Sequence, residues 1–559
     1  MTTGYQVIAR AIADLGVGTV HGLMGDGNLH FIQSFVHDEG RRYVAARHEA
    51  GAVNMADGHA RVLAGGALGV ATVTHGPGLT NAMTALTAAV RNRTPLLLVA
   101  GDLPRPAFRH NQRIDQAAVV APTGAGYVSA AASAGAGRQV ESAIRMALFQ
   151  RRPVVLDIPN DVQMEEWSGG ARTDRLKTML QDTRSQRRMP DPAAVADAAR
   201  RLDAARRPVL LAGRGAVRAA AGTQIRALAG RTGALLATTL LAKGLFAGDP
   251  GDLGVTGTFG SALSTAILAE ADCVVAFGAS LHSWTTSVGQ LYPKATLIQV
   301  DVREDDIGDF TAVDHVVLGD AALTAAALFD SVATRPPGEG FRTPRITDAL
   351  AAWRPEDEVT DASGAGRVDP RLALIALNRI LPRDRLVFSD GGHFWSYPAA
   401  YLEVPDPDSF VLAANFGSIG LGLATAIGGA LARPDRLPVL VVGDGGFLMS
   451  IAELETAVRY QVPLVVVVLN DAAYGSEVHA LRAGGLPTQT AQFPDTDFVR
   501  LAAGFGAAGL TVRDLADLAQ AAELIRRLDR PLVLDVKIDP DLVAPWFRAA
   551  KLRAATART

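Results

Sequence analysis

Hydrophobic positions along this chain fall into short unbroken runs separated by longer amphipathic stretches. Residues 68–73, 95–100, 208–212, 273–277, 296–300, 437–442 and 463–469 are nearly all apolar and are bounded by polar or glycine-containing segments. Uninterrupted apolar runs of this length predict strands buried on both faces, as in parallel sheets. The intervening segments read differently. Residues 450–461 place Ile451, Leu454, Ala457 and Val458 on one side of a 3.6-residue period, which predicts a helix with one buried face. Repeated alternation of the two patterns predicts an α/β protein built of doubly wound parallel sheets.

A chain of 559 residues is too long for one core. Two stretches combine proline and charge with little hydrophobicity: 183–192 (TRSQRRMPDP) and 333–345 (ATRPPGEGFRTPR). They predict three α/β domains, at 1–182, 190–335 and 346–545, with a tail at 546–559. Composition narrows the class of partner. With 48% apolar residues and a formal charge of −3, neither nucleic acid nor an anionic membrane is expected. No apolar run reaches the roughly 18–20 residues of a membrane span, and the N-terminus lacks the pattern of a signal peptide. A cytoplasmic protein is expected. The single cysteine, Cys273, lies inside an apolar strand and reads as a small buried hydrophobe.

The chemistry concentrates at the C-terminal edge of the strand predicted at 437–442. Gly443-Asp444-Gly445 follows it, with Gly446 next, and 24 residues (446–469) separate Gly445 from Asn470. Loops at the carboxyl ends of parallel strands are where such sheets bind ligands. Asp444 offers a hard oxygen suited to Mg²⁺, and the glycines let backbone N–H groups approach phosphate oxygens. The second strand brings Asn470 to the same edge. A Gly-Asp-Gly segment alone is also a common turn; strand, turn, helix, strand and asparagine together are more specific.

That arrangement resembles the thiamine diphosphate motif. Three other segments are similar to acetolactate-synthase-like enzymes: residues 47–61 (RHEAGAVNMADGHAR), 74–81 (THGPGLTN) and 415–428 (NFGSIGLGLATAIG). All occur in the expected order, and the resemblance covers about residues 1–545. It implies a pyrimidine-binding domain, a central domain and a diphosphate-binding domain, with a homodimer as the minimal unit and a homotetramer common. It also implies thiamine diphosphate and Mg²⁺ as cofactors, and small 2-oxo acids or related carbonyl compounds as substrates.

Residue by residue, the resemblance implies that Glu49 faces the cofactor's N1′ nitrogen, and that Gly417 offers its carbonyl to the 4′-amino group. Ile419 would wedge between the two cofactor rings. Asp444, Asn470 and the Ala472 carbonyl would bind the metal. Asn81, Gly392, His393, Gly443, Gly445, Gly446 and Tyr474 complete the expected cofactor site, although His393 equally suits a helix cap. Asp471 is expected to be a local hydrogen-bonding group.

Several positions depart from the acetolactate synthase pattern. His75 stands where a small residue is usual, so it either reaches substrate or is held inside the turn. Gln112 matches the family's "FQE" glutamine, but Asn111 replaces the phenylalanine, and His110 is a second candidate histidine. Gly124 stands where lysine is usual, and Ala480 where a substrate-selecting tryptophan is common. Glu477 and His479 beside it either line a polar pocket or solvate a helix. FAD is left open: the Gly213-Arg214-Gly215 turn is suggestive, but no full dinucleotide pattern follows.

The expected reaction is 2-oxo acid decarboxylation with carboligation. The alternatives are simple decarboxylation of the benzoylformate type, hydrolysis of a cyclic dione, and a catalytically silent homologue.

Overall fold

The computed structural model describes residues 2–63, 65–107, 109–167, 169–336, 338–544 and 546–547. Of the expected tail, only Trp546 and Phe547 fall among them.

Three six-stranded parallel sheets flanked by helices account for the predicted strands. The first runs, edge to edge, Arg42–Ala45, Thr19–Gly22, Gly69–Val73, Leu96–Asp102, Pro153–Pro159 and Gly126–Ser129. The second runs Asp252–Val255, Leu235–Thr238, Pro208–Ala212, Cys273–Phe277, Thr296–Asp301 and His315–Leu318. The third runs Phe410–Leu412, Arg385–Ser389, Leu437–Gly443, Val465–Asn470, Leu532–Lys537 and Ala508–Val512. Half of these strands are buried along their whole length, which is why their sequences read as continuous apolar runs rather than alternating ones. Cys273 opens one of them and is buried, with its thiol pushed up to about 12 by desolvation; it is inert.

In each sheet the strand order reverses beside the sheet's first strand in sequence, and the crevice beyond the carboxyl ends at that reversal is the natural ligand position. In the first sheet the reversal lies between Thr19–Gly22 and Gly69–Val73, and in the third between Arg385–Ser389 and Leu437–Gly443. In the second it lies between Pro208–Ala212 and Cys273–Phe277.

Two compact units result. One comprises 1–183, 384–395 and 411–540, and the other 184–383, 396–410 and 541–559. The helix Thr173–Ser185 extends into the proline-poor start of the stretch 183–192. Within the first unit the N-terminal and C-terminal sheets share one core, in which Val44, Ala52 and Met55 pack with Phe388, Leu423 and Ile427. Its centre is the crossing of Glu49–Arg61 over Gly422–Ala432. Glycine is required there: a Cβ at Gly58 or Gly428 would fall on the backbone carbonyls of Thr425 or Met55.

The helix that begins at Glu49 also carries His59, whose Nδ1 lies 3.4 Å from Nε2 of His21. Burial lowers His59 to about 4; burial, His59 and Arg42 hold His21 well below its usual range. Both rings are therefore neutral when folded, whereas in the unfolded chain they titrate near 6.5. With the folded value depressed, this contribution to stability is complete above about pH 6.5 and is lost as pH falls towards about 4. The expected result is a Tm that drops between pH 7 and 4.5, and a shallower drop in His59→Phe, read by scanning calorimetry.

Candidate active site

Glu49 is the first residue of its helix, placed by the strand Arg42–Ala45 and the loop behind it. An acidic residue at a helix N-terminus is favoured by the helix dipole. The carboxylate is buried and accepts a hydrogen bond from Asn81 Nδ2 at 3.0 Å. Asn81 closes the turn that begins at Gly76, so the two N-terminal motif segments meet at this carboxylate.

His75 precedes that turn, at the carboxyl end of Gly69–Val73. The residue is 1% exposed, with Nε2 2.9 Å from Gln112 Oε1 and 3.7 Å from Asp26 Oδ1; Nδ1 has no hydrogen-bond partner among the described residues. The His110 ring stands edge-on to it at 6.0 Å. His75, His110 and Gln112 thus come together, as their separate signals suggested. Asp26 was missed. It lies beyond the strand Thr19–Gly22, on the other side of the sheet's reversal, and also accepts from Thr74 Oγ1 at 3.1 Å. His75 is buried, so the solvent-facing edge of the cluster consists of Asp26, His110 and Gln112.

The C-terminal group lies at the reversal of the third sheet. Gly443 ends its strand and Asp444 begins the helix Asp444–Ser450, so the expected loop is in fact a direct strand-to-helix turn. Gly445 and Gly446 form the first turn of that helix, and Gly445 N–H donates to Asp444 Oδ1 at 2.7 Å. Asp444 Oδ2 accepts from the backbone of Ala473 at 3.3 Å. Burial, and then the nearby Asp471 carboxylate, push the Asp444 carboxyl well above the usual range.

Asn470 ends its strand. Its Nδ2 donates to Asp535 Oδ1 at 2.9 Å, which turns Oδ1 the other way, towards the backbone N–H of Ala472 at 3.1 Å. Asp535 is itself paired with Lys537 at 2.9 Å. Ala472 has a left-handed backbone, φ 57°, a conformation that costs energy in a residue with a Cβ and is found preferentially at functional positions.

His393 is buried with Nε2 3.2 Å from Asp471 Oδ2, and its ring lies 4.9 Å from that of His479. Glu477 and His479 therefore separate: His479 turns inward and Glu477 is exposed. Ile419 is half-buried, with Gly391 packed closely against it. Gly392 and Gly417 both have positive φ, 144° and 78°. Asp390, raised to about 6 by burial, ties these segments together by accepting from Gly391 and Gly420, each at 2.8 Å. Tyr474 is 42% exposed beside Gly445. Among the described residues, no hydrogen bond joins Glu49 to Asp444 or Asn470.

Comparison with known proteins decides the family. Residues 2–119 match the description "Thiamine pyrophosphate enzyme, N-terminal TPP binding domain", 195–328 the central domain of the same enzymes, and 390–536 their C-terminal TPP binding domain. The chain belongs to the thiamine pyrophosphate enzymes. Among curated relatives it is 28% identical to the acetolactate synthase large subunit of Parasynechococcus marenigrum, covering 96% of this chain and 87% of that one. It is 26% identical to the isozyme 3 large subunit of Escherichia coli, over 96% and 95%. It is 29% identical to a putative acetolactate synthase large subunit of Mycobacterium tuberculosis, over 98% and 99%. This thiamine pyrophosphate enzyme is thus acetolactate synthase-like along its whole length.

The site fits the cofactor that the family implies. Among the described residues, no group of three or more His, Cys, Asp or Glu side chains could hold a metal. The available set is one carboxylate (Asp444), one amide oxygen (Asn470) and one strained backbone carbonyl (Ala472). Such a set suits Mg²⁺ shared with a diphosphate, because Mg²⁺ is usually held by one or two carboxylates together with phosphate oxygens and water. The turn proposed for FAD is different. Gly213 and Gly215 donate their N–H groups to the carbonyls of Phe277 and Gly278, both at 2.9 Å, so neither is available to a phosphate.

Proposed function

We propose that this enzyme decarboxylates a 2-oxo acid and ligates the remaining fragment to a second carbonyl compound, as an acetolactate synthase-like carboligase. The carrying observation is the coexistence of a buried Glu49 and the Asp444–Asn470–Ala472 donor set in a chain that matches acetolactate synthases from end to end. Segments 1–182, 190–335 and 346–545 would serve as the pyrimidine, central and diphosphate domains.

When bound, thiamine diphosphate would supply the nucleophilic carbon and the electron sink that decarboxylation of a 2-oxo acid requires. Glu49, held by Asn81, would hold a proton at the cofactor's N1′ nitrogen, the role of a positioned acid–base group. Gly417 and Ile419 would orient the cofactor, and Asp444, Asn470 and the Ala472 carbonyl would hold Mg²⁺ against the diphosphate. Gly443, Gly445 and Gly446, with Gly392, His393 and Tyr474, would line the diphosphate. Asp26, His75, His110 and Gln112 form the polar wall for the substrate's carboxylate or for a proton to its carbonyl. FAD has no part in this reading.

As the resemblance to acetolactate-synthase-like enzymes implies, a second copy of the chain would complete each site. Exposed Phe416, Leu448, Met449 and Tyr474 beside the C-terminal half, and Met24 beside the N-terminal half, suit such a partner. The proposed assembly is therefore a homodimer or homotetramer, acting in the cytoplasm. No helix among the described residues is long and apolar enough to cross a membrane.

The test is consumption of pyruvate by protein stripped of cofactors and then resupplied. Turnover that appears only with thiamine diphosphate and Mg²⁺ together supports the proposal; turnover indifferent to both contradicts it. A second expectation concerns the support of Asn470. Asp535→Ala removes the nearest acceptor that orients the amide, leaving the longer contacts to Asp495 and the Thr496 carbonyl, and Mg²⁺ affinity measured by titration in the presence of thiamine diphosphate is expected to weaken about 10-fold.

A further inference from the structure

Glu453 lies far along the chain from Glu49, on the helix Glu453–Arg459 of the C-terminal half. Nonetheless its side chain reaches the loop on which Glu49 is mounted. Oε1 accepts from the backbone N–H of Arg47 at 3.0 Å and of His48 at 3.1 Å, while Oε2 accepts from Thr456 Oγ1 at 2.8 Å. The residue is 2% exposed, so water does not compete for these bonds. Burying a carboxylate is costly unless its oxygens are satisfied, and here three donors converge on it.

The same helix and the residue after it grip the preceding segment. Ala45 N–H donates to Tyr460 Oη at 2.8 Å, and Arg459 donates to the Ala45 carbonyl at 2.8 Å. Arg47 pairs with Glu455 at 2.8 Å. On the other side, Gly51 leaves only enough room for the Glu453 carboxylate; a Cβ there would fall on Oε1. Glu453 thus fixes the two residues immediately before Glu49 and packs against the residue two after it.

We propose that Glu453 is a positioning residue that latches the Arg47–His48 backbone and so sets the direction in which the Glu49 carboxylate points. It touches no reacting atom. The inference rests on the reading of Glu49 as the proton-handling group, because only that role makes its direction matter to rate. Positioning errors of about 1 Å are known to cost on the order of 100-fold in rate.

The test pairs Glu453→Ala with Glu453→Gln, which keeps an oxygen acceptor for the two N–H groups. Amide hydrogen exchange is followed in the cofactor-free protein, and turnover and cofactor affinity in the loaded one. In Glu453→Ala, the amides of Arg47 and His48 are expected to exchange at least about tenfold faster, and kcat to fall by about tenfold or more, with cofactor Kd changed less than about threefold. Glu453→Gln is expected to restore protection and kcat together. If Glu453→Ala does not fold, Thr456→Val loosens the latch without emptying the pocket and should show the same pattern in smaller measure. Unchanged protection at Arg47 and His48, or lost protection with unchanged kcat, overturns the latch. A Glu49→Gln control separates the two ideas: full activity there refutes the role of Glu49 itself, whatever the exchange data show.

Discussion

Glu49→Gln is expected to lower turnover by about 10²–10⁴-fold while leaving the fold and the affinity for thiamine diphosphate nearly unchanged. The substitution keeps shape and volume. Its amide oxygen still accepts from Asn81, so the helix start and the turn that ends at Asn81 should persist. What it removes is the ability to hold and return a proton at a ring nitrogen. Steady-state kinetics and a cofactor titration on the same preparation check this. A loss confined to Kd, with kcat intact, would assign Glu49 to binding alone.

Asp444→Asn should produce two effects of opposite sign. In the cofactor-free protein the carboxyl is buried and faces Asp471, and both influences raise its pKa. A folded value above the unfolded one means that the ionised group destabilises the fold, and that this penalty grows as pH rises through the folded value. Removing the charge should therefore raise the Tm of the cofactor-free protein at pH 8. In the presence of Mg²⁺ and thiamine diphosphate, however, the variant would lack the carboxylate proposed to hold the metal. Ligand at 100 times its Kd stabilises by about 2.7 kcal/mol; in Asp444→Asn that increment should vanish over the same concentration range. Thermal melts with and without cofactor read both. A normal cofactor-induced shift in the variant would remove Asp444 from the metal site.

These two residues were legible because each sits in a local pattern. Strands such as 437–443 and 465–470 are buried on both faces, so their sequences announce them and place Asp444 and Asn470 at one edge. Glu49 stood out only through its neighbours: a run of Gly51, Ala52, Met55 and Ala56 marks a closely packed helix, and the match to a family motif supplied the role. The supports of these residues left no such trace. Glu453 and Arg47 are 406 residues apart, and Asn470 and Asp535 are 65 apart. Asp535 appears in the sequence merely as an acidic residue in an apolar strand. Asp26 reads as part of a polar turn until the sheet's reversal sets it across from His75. The inward turn of His479 and outward turn of Glu477 follow from packing on a short helix, which residue spacing over nine positions does not decide.

The Gly213-Arg214-Gly215 turn shows the converse. Its glycines are explained by backbone contact: Gly213 and Gly215 bond to the carbonyls that end and follow the neighbouring strand, at the reversal of the second sheet.

The most direct test of carboligation is identification of the product by NMR after incubation with pyruvate, thiamine diphosphate and Mg²⁺, with and without a second 2-oxo acid or aldehyde. The account predicts acetolactate or another ligated ketol carrying two carbonyl-derived fragments. Free acetaldehyde as the sole product, formed at the same rate with or without an acceptor, would contradict it.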